Sequence, residues 1–466
     1  MSSHDHAPRR SEQPEWRHRG SIRFLTMACG FTLALVAELQ KAHSQHVLPV
    51  PGCPARGLTP PGDESLPYLE RGFGCSPSGC NEISAAPEEE DSGASPLALP
   101  DWAHQYRGIT GEYIYTGEVF SNVHGGVNTN GATRYRGNLD LVMNVDTEGM
   151  DLWKGGRLFV YGSQFHGQTL TPRDVGDTQL YSNIESNPRP ENELQLTEFW
   201  YEHSFADGAL IVKMGKQDAN ADFAFVDLGG DFINSSFGLI PTVPLPTWPN
   251  PGMGIAVFAD LTDTWHFKTG IYDGAPTFGA PTGGQWGFST VGEFGAMSLY
   301  ELSWTPQFGP DGDLPATFRL GSWYHSGDFD NLAAGVGTVS GNHGYYASVD
   351  QLLWKEPGSD DAPQGLGAFL QYGWSPSDRN AVDRYIGSGV TYRGPLRGHD
   401  ADLIGVGIAS ADFSDRTLLR ENAFEVFYKA QIFEWMVLQP DTQYIAKPSG
   451  NGRDAFIIGL RSEIVF

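Results

Sequence analysis

The chemically capable residues of this chain stand at every second position. Arg136, Asn138 and Asp140 are spaced by two, and so are Glu198, Trp200 and Glu202. Arg461 and Glu463 repeat the spacing near the end, and Lys213 interrupts the apolar run Leu210, Val212, Met214. On a strand, period two gathers such residues on one face. A row of guanidinium, amide, carboxylate and indole groups can bond a polar solute, or it can form an ion-pair ladder that stiffens a wall. It is not equipment for bond breaking. The chain has no Gly-x-Ser-x-Gly turn, no His-Glu-x-x-His and no Cys/His metal spacing. Its thirteen histidines are scattered, and only His325 and His343 flank one predicted loop closely enough to meet. No catalytic residue, metal or cofactor is assigned, and a barrel hydrolase is the remote alternative.

The residues opposite these rows are apolar. Tyr135, Gly137, Leu139, Leu141, Met143 and Val145 oppose Arg136, Asn138 and Asp140, and Thr197, Phe199 and Tyr201 oppose Glu198, Trp200 and Glu202. From Phe456 to Phe466 the alternation is unbroken and the last residue is aromatic. Polar-in, apolar-out alternation over segments of about ten residues is the signature of a transmembrane β-barrel. A Lys or Arg facing lipid at mid-membrane costs about 2–4 kcal/mol, which fixes the parity and turns the polar rows toward the lumen. No apolar run reaches the roughly 20 residues a membrane helix needs. A closed barrel spans without one, because its strands satisfy one another's backbone groups.

Sixteen strand-like segments are expected, near 109–120, 134–146, 156–167, 193–204, 208–217, 252–260, 264–272, 294–305, 316–325, 343–354, 365–375, 383–393, 401–410, 423–431, 434–446 and 454–466. The fold class is therefore all-β, an antiparallel barrel wide enough for a water-filled channel. Long connections at 168–192, 218–251 and 273–293 alternate with short ones at 205–207, 261–263 and 432–433. The asymmetry weakens after residue 306. The 218–251 connection is the candidate constriction. It is long for a hairpin and carries Phe223, Phe225, Phe232, Ile233, Phe237 and Leu239 to pack with. Asp218, Asp222, Asp227, Asp231 and Asn234 would place polar groups over the channel, and Trp248 sits in its proline-stiffened arm. The competing reading is a lid packed on the rim.

Composition agrees with a barrel. Among 466 residues, 18% are charged, 12% are aromatic and 58 are glycine, with a net charge of −26 and a mean hydropathy of −0.31. That charge excludes nucleic acid as a partner, since a phosphate backbone needs a basic face. Residues 1–44 read as a signal-peptide region, with Arg17, Arg19 and Arg23 before the apolar stretch 24–37 and a small-x-small site at Ala42-His43-Ser44. Residues 45–107 are rich in Pro, Gly, Ser and Glu and read as a flexible periplasmic segment. It holds Cys53, Cys75 and Cys80, of which the last two have the spacing of a small disulfide loop. The barrel occupies 108–466.

Over that span the chain resembles the carbohydrate-selective porins of the OprB type. The residues that carry the resemblance are Gly111-Glu112-Tyr113, Gly215-Lys216-Gln217-Asp218 leading to Asp222-Phe223-Ala224, and the run Phe232-Ile233-Asn234-Ser235-Ser236-Phe237-Gly238. Gly270-Ile271-Tyr272-Asp273-Gly274, Tyr346-Ala347-Ser348-Val349-Asp350-Gln351, the run from Trp435 to Ile445 and Gly459-Leu460-Arg461 with Phe466 complete the set. The resemblance implies a Gram-negative outer-membrane location, passive uptake of monosaccharides and a barrel narrowed by loops folded into its lumen. A general or anion-selective diffusion porin is the alternative within the class. A sugar offers hydroxyls and apolar C–H faces, which suit Arg136, Glu198, Trp200 and Arg461 as contacts. Expected partners are sugar, outer-membrane lipid and the outer-membrane assembly machinery, which would read the terminal strand with Phe466. The lipid face shows no obvious trimer seam, so the oligomeric state stays open.

Overall fold

Alternation along each segment builds one closed sheet. The computed structural model describes residues 105–186, 192–279, 282, 286–357 and 364–466. The signal region and nearly all of the Cys-bearing segment lie outside the described residues. Sixteen staves follow one another in chain order: β1 (Ile109–His124), β2 (Thr133–Asp146), β3 (Gly156–Gly167), β4 (Glu193–Phe205), β5 (Leu210–Gln217), β6 (Gly252–Asp260), β7 (Trp265–Asp273) and β8 (Ala296–Trp304). The second half comprises β9 (Leu314–Asp330), β10 (Thr338–Lys355), β11 (Gly365–Trp374), β12 (Val382–Arg393), β13 (Leu403–Phe413), β14 (Glu421–Phe433), β15 (Met436–Ala446) and β16 (Ala455–Val465). Each stave pairs antiparallel with the next, and β16 returns to β1 through Val465↔Ile114 to Ile457↔Asn122. Closure leaves no edge strand with unpaired backbone groups. Short strands at Gln105–Tyr106 and Gln307–Phe308 pair with the starts of β1 and β9.

The outer face is apolar and belted by aromatics. On β13, Ile404, Val406 and Ile408 are exposed while Leu403, Gly405, Gly407 and Ala409 between them are buried. At the end with the shortest connections, Trp265 stacks on Trp304 at 5.9 Å, Trp304 on Phe318 at 5.3 Å, Trp354 on Tyr392 at 6.1 Å and Phe433 on Trp435 at 5.1 Å. At the other end Tyr345 stacks on Trp374 at 6.0 Å, and Phe424 meets Tyr444 at 6.2 Å. Two such girdles flank the lipid band of an outer-membrane barrel, with the short turns on the periplasmic side.

Three local expectations change. The β9–β10 hairpin runs further than its alternation suggested. A register shift after His325 lets Asp328↔Ser340 and Asp330↔Thr338 pair, so the connection shrinks to 331–337. Thr197 does not face lipid. A bulge where Tyr161↔Glu198 gives way to Gly162↔Leu196 turns it inward, where its hydroxyl meets that of Ser163 at 2.6 Å. His325 and His343 do not meet: Tyr324↔His343 are the paired neighbours, so the two rings point to opposite faces. His325 is buried and donates to the Gly274 carbonyl at 3.1 Å, and His343 packs outside near Trp374.

The Phe466 amide closes the barrel seam by donating to the Tyr113 carbonyl at 3.0 Å. Deleting Phe466, or replacing it with Asp, is expected to lower the yield of heat-modifiable barrel in the outer membrane. Gel-shift quantification of membrane fractions measures this, and an unchanged yield removes the assembly role assigned to the residue.

Candidate functional site

Chain fills much of the lumen. Two connections, 168–186 and 218–251, run inside the barrel and are held by inward side chains of most staves. The wall carboxylates act as acceptors for loop amides. Glu198 on β4 takes Asp218 N–H at 2.8 Å, Glu301 on β8 takes Ala224 N–H at 3.1 Å, and Asp350 on β10 takes Asp227 and Leu228 N–H at 3.1 and 3.0 Å. On β14, Glu425 takes Ile233 and Asn234 N–H at 2.6 and 2.9 Å. Two periods of alternation away, Glu421 takes Thr178, Gln179 and Ser449 N–H at 2.9, 2.9 and 2.5 Å. Hydrogen bonds to an ionised group contribute about 1.5–3 kcal/mol each.

Wall cations hold the loops by their oxygens. Lys213 on β5 pairs with Asp222 at 2.5 Å, Lys268 on β7 donates to the Asp222 carbonyl at 2.8 Å, and Lys429 on β14 pairs with Asp231 at 2.9 Å. Arg319 on β9 bridges Asp350 at 2.6 Å and Asp227 at 2.8 Å. Neutral donors complete the set, with Gln371 to the Phe237 carbonyl at 3.0 Å, Tyr385 to Ser236 at 2.5 Å and Gln443 to Tyr181 at 2.8 Å. The loops also bond each other, through Asn183 N–H to Ile233 O at 2.8 Å and Ser235 N–H to Leu180 O at 3.0 Å.

Apolar contacts seat the longer loop. Phe232 and Phe237 pack at 4.4 Å and meet Phe369 and Phe427 edge-on. The wall beneath is glycine for a reason: a Cβ on Gly407 would lie 2.7 Å from both loop phenyls, and one on Gly373 2.1 Å from Thr242 Oγ1. Side chains there would push the loop off the wall.

The strand and loop residues nominated from sequence, Phe466 at the seam apart, make the following contacts. Arg136 donates to the Ile184 carbonyl at 2.5 Å and to Ser186, with Glu185 3.6 Å away. Asn138 donates to Asp140 at 2.6 Å, and Asp140 also accepts from Tyr161 at 2.5 Å. Arg461 bonds Glu118 and Asn183, and Glu463 faces Lys429 at 3.4 Å. Glu202 pairs with Arg157 at 2.9 Å. Trp200 is 3% exposed, covered by Phe159 stacked at 4.6 Å, with the Arg157 guanidinium at 4.9 Å and the Lys213 ammonium at 4.6 Å. Asp218 accepts from Trp248 N–H and the Thr247 hydroxyl at 2.9 and 3.0 Å, and burial raises its carboxyl above the usual range. Burial alone would also raise Asp231, but Lys429 beside it holds it below the usual range. Asn234 caps the turn 235–237 through Ser236 N–H, and Trp248 packs edge-on against Phe165 at 5.6 Å.

Sequence reasoning left out the anchors Glu118, Glu301, Arg319, Asp350, Glu421, Glu425 and Lys429. The parity that nominated Arg136 applies equally to the expected strands of six of them and would have found these; Glu421 lies just before the expected segment 423–431. It also left the 168–186 segment unassigned to the lumen.

At the periplasmic rim, Asp260, His266 and Thr305 form a chain, with His266 Nδ1 2.6 Å from Asp260 and Nε2 3.1 Å from the Thr305 hydroxyl. That hydroxyl also reaches the Thr264 carbonyl at 3.4 Å, so the chain joins two neighbouring turns.

Comparison with known proteins adds a family to this geometry. The profile of the carbohydrate-selective porin family, OprB, matches residues 130–466. Porin B of Pseudomonas aeruginosa is 25% identical over 418 residues, covering 79% of this chain and 91% of that protein. A putative porin, QuiX, of Acinetobacter baylyi is 24% identical over 419 residues, covering 79% and 92%. The high-pH structure of Pseudomonas putida OprB superimposes with a TM-score of 0.69 at 23% identity, covering 77% of this chain and 94% of that one. The low-pH structure of the same protein gives 0.52 at 19%.

Shortening the 218–251 connection is expected to raise single-channel conductance and weaken sugar discrimination together. Glu425→Gln, which puts an amide donor where two loop amides need acceptors, should add open-channel flicker in the same recordings. Unchanged conductance in the shortened channel would assign this loop to the rim.

Proposed function

The chain belongs to the OprB family of carbohydrate-selective porins, and from that premise we propose that it admits monosaccharides by passive diffusion through a loop-narrowed lumen. It is an outer-membrane sugar porin, a transport channel rather than an enzyme. What supports the finer reading is the pairing of lumen charge. Arg319 is matched by Asp227 and Asp350, Lys268 by Glu301 at 3.3 Å, Lys213 by Asp222 and Lys429 by Asp231 and Glu463. Each of these four cations is matched by carboxylate, six in all, so the set presents donors and acceptors without a field of positive sign. That suits a neutral polyol better than an anion, whose capture needs uncompensated positive charge.

The pore-lining roles fall into two groups in this reading. Arg136, Arg461, Glu198 and Lys213 hold the inserted loops, and so set the width of the passage. Arg157, Glu202, Lys268, Asp222 and Asp227 keep side-chain surface in water and meet the solute. The Asp260–His266–Thr305 chain is a turn staple, since its hydroxyl belongs to a threonine already engaged with a backbone carbonyl. Partners beyond the sugar, outer-membrane lipid and the assembly machinery, stand as expectations from sequence.

Purified protein in planar bilayers tests the function. Glucose is expected to reduce ion conductance in a saturable manner, while phosphate at the same concentration leaves it near its starting value. Block by phosphate without block by glucose would favour the anion-selective alternative.

A further inference from the structure

One aromatic residue of the inserted loops is not fully buried. Tyr181, Phe223, Phe232, Phe237 and Trp248 are all buried, whereas Phe225 is only half-buried. Its backbone is set by Ala224, which adopts φ 57° and gives its amide to Glu301. A left-handed conformation at a non-glycine residue is strained and persists where surrounding bonds enforce it. Ser348 donates to the Phe225 carbonyl at 3.1 Å, so the residue is fixed from both sides.

The surroundings of the ring are polar and charge-compensated. The Arg319 guanidinium carbon lies 4.4 Å from its centroid and the Lys268 ammonium 5.2 Å. Both cations are tied to carboxylates, Arg319 to Asp227 and Asp350, Lys268 to Glu301. Two residues on, the Asp227 side chain is 61% exposed while Arg319 holds one of its oxygens at 2.8 Å. An apolar ring surface beside an oriented carboxylate and two planar or pointed donors matches the two faces of a pyranose, C–H on one side and hydroxyl on the edge. Trp200 does not offer this, since it is 3% exposed and Phe159 stacks on it at 4.6 Å.

We propose that Phe225, with Asp227 beside it, is the sugar-contacting element of the constriction and sets its preference for a pyranose over a small ion. The proposal rests on the sugar-porin reading above. An aromatic contact of this kind is worth a change of about two- to tenfold in binding.

The test uses the full-length folded channel with glucose as the probe. Phe225→Leu and Phe225→Met keep bulk without an aromatic face, and Phe225→Tyr keeps the face. Heat modifiability selects which of the two aliphatic variants is read. That variant should weaken glucose block by about two- to tenfold while single-channel conductance stays near wild type. Phe225→Tyr should retain wild-type block. A merely structural role predicts the converse, altered conductance or gating noise with glucose block unchanged, and that result overturns the proposal. Loss of both block and conductance steps in every variant overturns it too, because it assigns Phe225 to the fold. If the wild-type channel conducts but glucose does not block it, the sugar reading fails and takes the proposal with it. Wild-type block with equal block in the aliphatic variant sinks the proposal alone.

Discussion

The bond between an inward carboxylate and a loop amide is the interaction on which the rest of this structure depends. A barrel of sixteen staves encloses more width than its own side chains can fill, so its lumen is either water or folded chain. Chain placed there brings backbone N–H and C=O groups that must find partners away from bulk water. The wall supplies them. Glu198, Glu301, Asp350, Glu421 and Glu425 take amides, and Arg136, Lys268, Gln371, Tyr385 and Gln443 give to carbonyls. Each such bond is also a positional constraint, because a strand fixes its donor or acceptor far more rigidly than a loop can.

This division of labour bears on selectivity. In the proposed reading, residues buried in wall-to-loop bonds set how wide the passage is, and those still touching water set what the solute meets. Arg136 and Arg461 belong to the first group although they are the most conspicuous cations in the sequence. Asp227 belongs to the second because Arg319 holds it without burying it. Charge pairing makes ionised groups tolerable in a partly dehydrated lumen. Small residues contribute by absence, as Gly407 leaves room for Phe232 and Phe237 and Gly373 for Ile240 and Thr242 of the long loop.

Much of the architecture follows from local chemistry that a sequence displays directly. Period-two alternation turns on which side chain meets lipid and which meets water, and lipid penalises a misplaced charge strongly enough to fix the parity. The sixteen staves, the all-β class and the inward direction of Arg136, Glu198, Lys213, Arg461 and Glu463 were legible for that reason. The parity was blind at Thr197, because a bulge adds one residue to a strand without leaving a mark in composition. It was blind again at the β9–β10 hairpin, where polar residues pair beyond the membrane and no lipid enforces a pattern.

The path of the loops was decided only in three dimensions. The acids along 218–251 showed that the segment was polar, and its phenylalanines that it could pack. Neither said that Asp222 would meet Lys213 nine residues before it, while Asp231 would meet Lys429 across the barrel. The same holds for Phe225, one of several phenylalanines in the loop and distinguishable from Phe223 or Phe232 only by what covers it. Facing direction along a strand is a nearest-neighbour property, written in residues one and two apart. Partners across a lumen are set by closure of the whole sheet, which brings together residues that no local pattern relates.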